Sequence, residues 1–264
     1  MTRVTWSDPG QRFYETGVDR GVLYTENNPG VPWNGLVSVS ESPSGGKPKP
    51  YYMDGYKYLN LSAFEEYEAT LDAYYSPREF DICDGSLEIV EGFYATHQTR
   101  QTFGLTYRTM IGNDLDGSDH GYKIHLVYNA MATPADRSYE TLNDSPDAAP
   151  LSWEITTQPV IFAGMAPTAH YVLDSTKSAS WLVKRVEDIL YGTDDQMPRL
   201  PLPDEIESIY LEGPEIVVST TDDGAFTIMG EPPHLVVYGD IQEFKVDSPG
   251  VTIKPDGSFI VESY

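Results

Sequence analysis

Five histidines, one cysteine and 41 carboxylates are the groups in this chain that could hold a metal or move a proton. The most suggestive spacing is Asp114-Leu115-Asp116-Gly117-Ser118-Asp119, which is similar to a calcium loop. An EF-type loop needs glycine at its sixth position and glutamate at its twelfth. Here those positions hold Asp119 and His125, and both flanks read as strands, so a solvated hairpin tip is favoured. The histidines are His97, His120, His125, His170 and His234. His120 and His125 lie five apart, which sends them to opposite faces of a strand. No pair has helical ligand spacing beside a carboxylate, and no metal site is expected.

Cys83 has no partner for an internal disulfide, and one cysteine cannot build a Cys-rich zinc site. Its neighbour Asp84 supplies no cation to lower the thiol pKa, so a buried, inert thiol is expected. No serine sits in a Gly-x-Ser-x-Gly elbow, and neither a phosphate loop nor a dinucleotide fingerprint occurs. Glu65, Glu66 and Glu68 could mimic a glycosidase pair but read better as a solvated strand face. The sequence therefore implies no catalytic residue, no cofactor and no enzyme.

The elements that would position any site are short. Length (264 residues) allows one large domain or two smaller ones, and 40% hydrophobic with 12% aromatic content is enough for a core. With 22 Gly and 20 Pro, turns must be frequent, which favours strands over long helices. The net charge of −24 argues against broad attraction to nucleic acid or anionic membrane, since phosphate binding needs cations. Arg3 is followed by no apolar stretch of the signal-peptide kind, and no run approaches a membrane span of ~18 residues. Assembly in a cytoplasm is expected.

Charge divides the chain. Residues 201–264 carry 13 acidic and 2 basic side chains, against 28 and 15 in residues 1–200. The change falls at Pro198-Arg199-Leu200-Pro201-Leu202-Pro203, whose alternate prolines favour an extended connector. A boundary near residue 200 thus separates a large domain, 1–200, from a small acidic β module, 201–264. Within the module Asp223-Gly224 and Asp256-Gly257 each divide two apolar stretches and read as hairpin turns.

In the large domain the clearest strands are Phe103 to Ile111 and Gly121 to Tyr128, a long hairpin around residues 112–120. Others are expected at Gly21 to Tyr24, Gly35 to Ser40, Leu87 to Ala95, Ser152 to Ile161 and His170 to Leu173. A further strand is expected from about Phe64, where Tyr67, Ala69, Leu71, Ala73 and Tyr75 alternate. A short helical turn capped by Ser76 should end at Gly85. One longer helix, Ser178 to Tyr191, carries an apolar stripe of Leu182, Val186, Ile189 and Leu190. The result is an antiparallel, mainly β domain with one packed helix. The run Ser42 to Pro50 has no side chain to bury and is expected to be mobile in an isolated subunit, and Pro134 to Pro150 is likewise polar and proline-bounded.

Tyrosine is the distinctive residue, at 19 of 264. It gives contact area at low entropic cost. Tyr51, Tyr52, Tyr56 and Tyr58 cluster beside Lys47 and Lys49, and these six are the candidate interface residues. Core packing of a β protein is the alternative use of so many tyrosines.

The order of several short motifs carries a resemblance. They are Gly17-Val18-Asp19-Arg20-Gly21-Val22-Leu23-Tyr24, Pro32-Trp33-Asn34-Gly35-Leu36, Asp54-Gly55 leading to Phe80, and Cys83-Asp84-Gly85. Gly112-Asn113-Asp114 with Asp119 to Tyr128, Ser152-Trp153-Glu154, Glu187 to Gly192 and Pro198-Arg199-Leu200-Pro201 follow. Over residues 10–205 the chain resembles the major tail proteins, or tail tube proteins, of long, flexible-tailed phages infecting actinobacteria. That resemblance implies a β-sandwich or half-barrel flanked by a helix, hexameric rings stacked into a hollow tube, and a location in the virion tail. It implies as partners further copies of the chain and the tape measure, terminator and tail tip proteins. DNA would pass through the lumen without specific binding, and no membrane would be involved; the acidic excess would then line the bore and repel phosphate, or equally sit outside and serve solubility. The Pro43–Pro50 loop would order by docking on the next ring. The alternative is a monomeric carbohydrate- or protein-binding β module of a tail tip or adhesion apparatus, in which Trp6, Trp33, Trp153 and Trp181 would suit sugar stacking.

Overall fold

The computed structural model of the chain describes residues 6, 8–26, 28–61, 64–134, 141, 150–162 and 164–213, and past these the backbone of five short strands. The chain forms two compact units, Met1–Ser178 with Glu187–Pro201, and Ala179–Val186 with Leu202–Tyr264. In the first, the strands begin with β1 (Tyr14–Thr25), β2 (Val31–Pro32), β3 (Leu36–Glu41), β4 (Ser44–Gly45), β5 (Lys49–Met53), β6 (Tyr56–Leu61) and β7 (Glu65–Glu66). They continue with β8 (Glu68–Ala73), β9 (Leu87–Val90), β10 (Phe93–Ala95), β11 (Phe103–Asn113), β12 (Gly117–Ala132), β13 (Leu151–Thr157) and β14 (His170–Asp174). Helix α1 (Ser180–Tyr191) runs from the second unit into the first. The protein is mainly β and antiparallel, as the sequence implies.

One sheet, in the order β2-β1-β11-β12-β13-β8-β3 with β14 on β12, organises the first unit. The β11–β12 hairpin is its spine. Asn113 starts the turn by accepting the N–H groups of Leu115 and Asp116 on its side-chain oxygen (2.9 and 2.5 Å), an Asx turn. Gly117, at φ 62°, ends it. The strand β12 serves two neighbours along one edge: residues 123–127 pair with β14 and residues 130–132 with β13. Between the two stretches Asn129 takes φ 49°, which redirects the strand. β1 bends too, with register shifts on either side of Asp19 and a left-handed Arg20 at φ 48°.

These bends roll the sheet. Trp33, beside the β2 end, donates its N–H to the Gly21 carbonyl at 2.7 Å. A Cβ on Gly21 would lie 2.9 Å from Leu36 Cδ2, so β3, last in the order, closes onto β1 near the other end. Inside the roll, Trp33, Phe80, Phe103 and Trp153 form an aromatic cluster with ring centroids 4.7–5.8 Å apart. Both indole N–H groups are satisfied: Trp33 donates to the Tyr75 carbonyl (2.9 Å) and Trp153 to Asp84 Oδ1 (3.1 Å). Ala69, Leu71 and Ala73 alternate inward as expected, but Tyr75 is exposed. Cys83 is buried, and burial pushes its thiol up to about 12.

The structure departs from the sequence reading in several places. Leu87 to Ala95 is a hairpin, β9–β10, turned at Glu91-Gly92, and not one strand. The helical turn near Ser76 is a three-residue 3-10 turn, Arg78–Phe80, flanked by Pro77 with no side-chain cap. The strand begun at Leu151 stops at Thr157, and α1 begins at Ser180.

The second unit holds a second helix, α2 (Pro203–Glu212), where a connector and β module with no helix were expected. Its signals were present: Pro203 at the first helical position, Asp204 and Glu205 in the first turn, and Gly213 at φ 80° after the end. Within this unit Arg185 Nη2 reaches Glu212 Oε2 at 3.1 Å. The strands β15 (Val217–Thr220), β16 (Phe226–Met229), β17 (Phe244–Lys245), β18 (Val251–Ile253) and β19 (Phe259–Val261) complete the chain. β15 pairs antiparallel with β16 and β18 with β19, as the two Asp-Gly turns require. The turn residues Asp223, Gly224, Asp256 and Gly257 lie outside the described residues, as does most of the Pro134 to Pro150 run.

Candidate assembly surface

Residues 42–61 build the most unusual surface of the first unit. Asp54 and Gly55 take φ 51° and 81°, the paired left-handed conformations of a type I′ turn, and β5 and β6 pair across it. Directly paired residues share a face. Lys49↔Leu61, Tyr51↔Leu59 and Met53↔Tyr56 therefore lie on one side, while Pro50↔Asn60 and Tyr52↔Lys57 lie on the other. Tyr58 falls at the register shift. Every residue of both strands is exposed, with Tyr52 at 68%, Tyr56 at 80% and Tyr58 at 66%.

The run before this hairpin, read from the sequence as having no side chain to bury, makes a hydrogen-bonded neck in the structure. Ser44 and Gly45 pair with Glu66 and Glu65, and Ser44 Oγ donates to Glu68 Oε1 at 2.6 Å. Gly45 and Gly46, at φ 80° and 65°, lie so close to Phe64 and Glu65 that a Cβ would fall 2.5 Å from the Phe64 carbonyl and 2.4 Å from Glu65 Cγ. The glycines are needed for that close approach, not for slack. Lys47 stands exposed on the neck, and Lys49 Nζ lies 5.7 Å over the Tyr51 ring. The six predicted interface residues are thus brought onto one hairpin and its neck.

The β9–β10 hairpin repeats the theme, with Leu87, Ile89, Val90 and Phe93 all exposed. Glu88 pins it, accepting from the Gly92 N–H at 2.9 Å and pairing with Arg78. The strands β2 and β3 end the main order, and among the described residues β14 pairs only with β12. Such edges carry unpaired backbone groups that another strand can meet.

Two polar clusters were not legible as sites. Arg108, buried at 8% exposure, grips Asp19 through two hydrogen bonds (2.8 and 2.7 Å) and lies 4.3 Å over the Tyr122 ring. The hydrogen bonds from Arg108 hold the Asp19 carboxyl below its usual range against the opposing pull of burial. Glu187 Oε1 lies 3.9 Å from Arg108, so Arg108 of β11 gathers motif residues from β1 (Asp19), β12 (Tyr122) and α1 (Glu187). Beside them an open cleft of about 640 Å³ runs between residues 18–22, residues 32–36 and Tyr191.

The second cluster is a row across β11, β12 and β14. Tyr107 and His125 are direct cross-strand partners and stack at 4.5 Å. His125 pairs with Val172, so His170 is its diagonal neighbour on the same face, and His125 Nδ1 meets His170 Nε2 at 3.0 Å. Glu41, brought round by the roll of β3, has Oε1 3.6 Å from His125 Nδ1. Tyr67 OH lies 3.0 Å from Tyr107 OH, which donates to Glu41 Oε1 at 2.7 Å; His125 Nε2 lies 2.9 Å from Thr109 Oγ1. Burial first, and then the neighbouring His170, pull the His125 imidazole down to about 4; burial lowers His170 too. Spacing along the chain carried no signal for this pair, which the register of β14 on β12 brings together. His120 instead meets Asn113 and Asp116 at the hairpin tip.

Trp33 and Trp153, offered by sequence as sugar-stacking surfaces, are core residues at 3% and 1% exposure.

No protein-family model matches the chain, and no curated protein matches it. Among solved structures, the anti-feeding prophage baseplate, 6-fold symmetrised, is similar at 12% identity and TM-score 0.33, covering 67% of this chain and 100% of that one. The sheath/tube terminator of the PVC extracellular contractile injection system in its extended state is similar at 17% identity and TM-score 0.31, covering 60% and 98%. The sheath-tube complex of the same system gives 16% identity and TM-score 0.30, covering 59% and 88%. Likenesses this loose establish neither a shared fold nor a shared role.

Proposed function

We propose that the chain is a structural subunit of a phage tail tube of the long, flexible-tailed type, forming hexameric rings that stack around a lumen. In this reading residues 1–200 are the tube domain and 201–264 a separate acidic module, carried in the virion tail. The observation that carries it is the β5–β6 hairpin. A two-stranded hairpin alone in water is marginal, yet this one holds Tyr51, Met53, Tyr56, Leu59 and Leu61 on a single exposed face. Apolar surface gathered in this way gains free energy when a neighbour covers it.

The occupant proposed is a second copy of the chain. Lys47 and Lys49 sit at the hairpin's base on a protein of net charge −24, so a neighbouring copy supplies abundant carboxylates opposite them. A contact between different patches of identical subunits is heterologous, and it closes into a ring when the rotation closes. The edges at β2 and β14 and the length of the β11–β12 hairpin suit a sheet continued from subunit to subunit. The tape measure, terminator and tail tip proteins are the further partners. Carboxylates on the bore would let DNA slide without counterion-releasing contacts.

Negative-stain electron microscopy of the purified protein at rising concentration, with and without seeding tail components, tests the reading. Rings or hollow tubes of regular repeat are expected. Tyr51→Ser, Tyr56→Ser and Leu59→Ser combined should leave circular dichroism unchanged and abolish them. Persistent monomers of the wild type, even with seeds, would overturn the tube and favour a monomeric binding module. Tubes undiminished in the triple variant would remove the hairpin from the interface.

A further inference from the structure

Glu41, His125 and His170 present three ligand atoms around one point, and we propose that they form a binding site for a divalent transition metal, zinc or a cation of its kind. The three atoms lie within 4.8 Å of one another. Metal bonds of about 2.0–2.1 Å in a tetrahedron place neighbouring ligand atoms about 3.3 Å apart. His125 Nδ1 is 3.0 Å from His170 Nε2 and 3.6 Å from Glu41 Oε1, one just inside that edge length and one just outside it. Closing on a metal requires shifts of a few tenths of an ångström from these two pairs.

The donor set selects the metal class. Two imidazoles and one carboxylate suit zinc, cobalt and their neighbours; magnesium and calcium want oxygen alone. Three protein ligands leave the fourth position for water.

An outer shell is already built around two of the three ligands. Metal-bound imidazoles donate their remote N–H to a fixed partner, and bound carboxylates are themselves hydrogen-bonded. His125 Nε2 has Thr109 Oγ1 at 2.9 Å, and Glu41 Oε1 receives the Tyr107 hydroxyl at 2.7 Å, with Tyr67 behind it. Without metal the two rings share a proton between Nδ1 and Nε2. Metal entry shifts that proton to an outer ring nitrogen, so both facing nitrogens offer lone pairs and no net proton is lost. Lys123, the nearby cation, is engaged by Glu15.

The site joins β3, β12 and β14, strands that are hydrogen-bonded neighbours only in the β12–β14 pair. Bound metal would therefore clamp the roll of the sheet where β3 closes over β12 and β14. Nothing in this inference rests on the assembly reading.

The test is a zinc titration of untagged full-length protein, first stripped with chelator, read by calorimetry and by thermal melting. One equivalent should bind with a rise in Tm, and Co²⁺ should give the intense visible absorption of a tetrahedral site. His170→Gln and, separately, the more exposed Glu41→Gln should each lower affinity by at least about 10-fold, and Thr109→Val by about 10-fold. Either ligand variant that folds serves the comparison, and the wild-type cobalt spectrum decides should neither fold. Absence of a zinc-dependent shift in wild type, an octahedral cobalt spectrum, or equal affinity in the ligand variants would overturn the site.

Discussion

Arg108 and Asp19 show what one residue pair does in this sheet. The guanidinium is buried, its fork is filled by both carboxylate oxygens, and Tyr122 covers its face. Since the folded pKa of Asp19 is below its ordinary value of about 3.9, its contribution to stability is present above about pH 4 and is lost as the pH falls through the depressed value. Asp19→Asn should therefore be less stable than wild type by a constant margin at neutral pH, and the margin should close in acid. Urea unfolding of both proteins from about pH 7 to about pH 3 measures it. A margin that persists in acid would show that shape, and not charge, sets the effect. The inert, buried Cys83 followed from its sequence neighbours. The meeting of His125 with His170 did not, because it depends on register: β14 must lie on β12 with Val172 opposite His125, and only backbone pairing sets that.

At the scale of elements, the roll of the sheet rests on Gly21. Alanine there would place its Cβ 2.9 Å from Leu36 and 3.4 Å from Trp33. Gly21→Ala is expected to cost about 1–3 kcal/mol of stability as an overpacked contact. Adding Leu36→Ala should recover part of that loss, which a double-mutant cycle measures by chemical denaturation. Strictly additive losses would mean that β3 does not close onto β1 through this contact. Long alternating or β-branched runs announced β8, β11, β12 and β14. The β5–β6 hairpin was legible too: the rule applied to Asp223-Gly224 and Asp256-Gly257 applies equally to Asp54-Gly55. What no periodicity carries is the bending, since Arg20 and Asn129 take left-handed backbone where a glycine would have signalled it.

For the whole molecule, charge and apolar surface act against each other. Copies carrying −24 repel, while in the proposed assembly the hairpin faces attract. Screening shortens the repulsion, with a Debye length of about 30 Å at 0.01 M salt and about 8 Å at 0.15 M, and leaves apolar contact intact. The protein concentration at which polymers appear should fall as NaCl rises from about 0.01 to about 0.5 M, followed by light scattering. Polymers that dissolve with salt would instead make Lys47 and Lys49, paired to a neighbour's acids, the dominant contact.

The strand order also bears on how the chain is made. Tyr14 pairs with Gly112 and Thr25 with Phe103, so β1, which before then can meet only the two-residue β2, waits for its long partner β11 until the ribosome has added roughly ninety further residues. At about 5–20 residues per second that wait is roughly 5–20 s, long beside the ~1–10 μs in which a hairpin closes. Val22 and Leu23 spend it with only the short β2 beside them, on a nascent chain whose first long strand must wait for a distant partner. The pace of translation, and not the closing of any turn, sets when β1 can join the rest of its sheet.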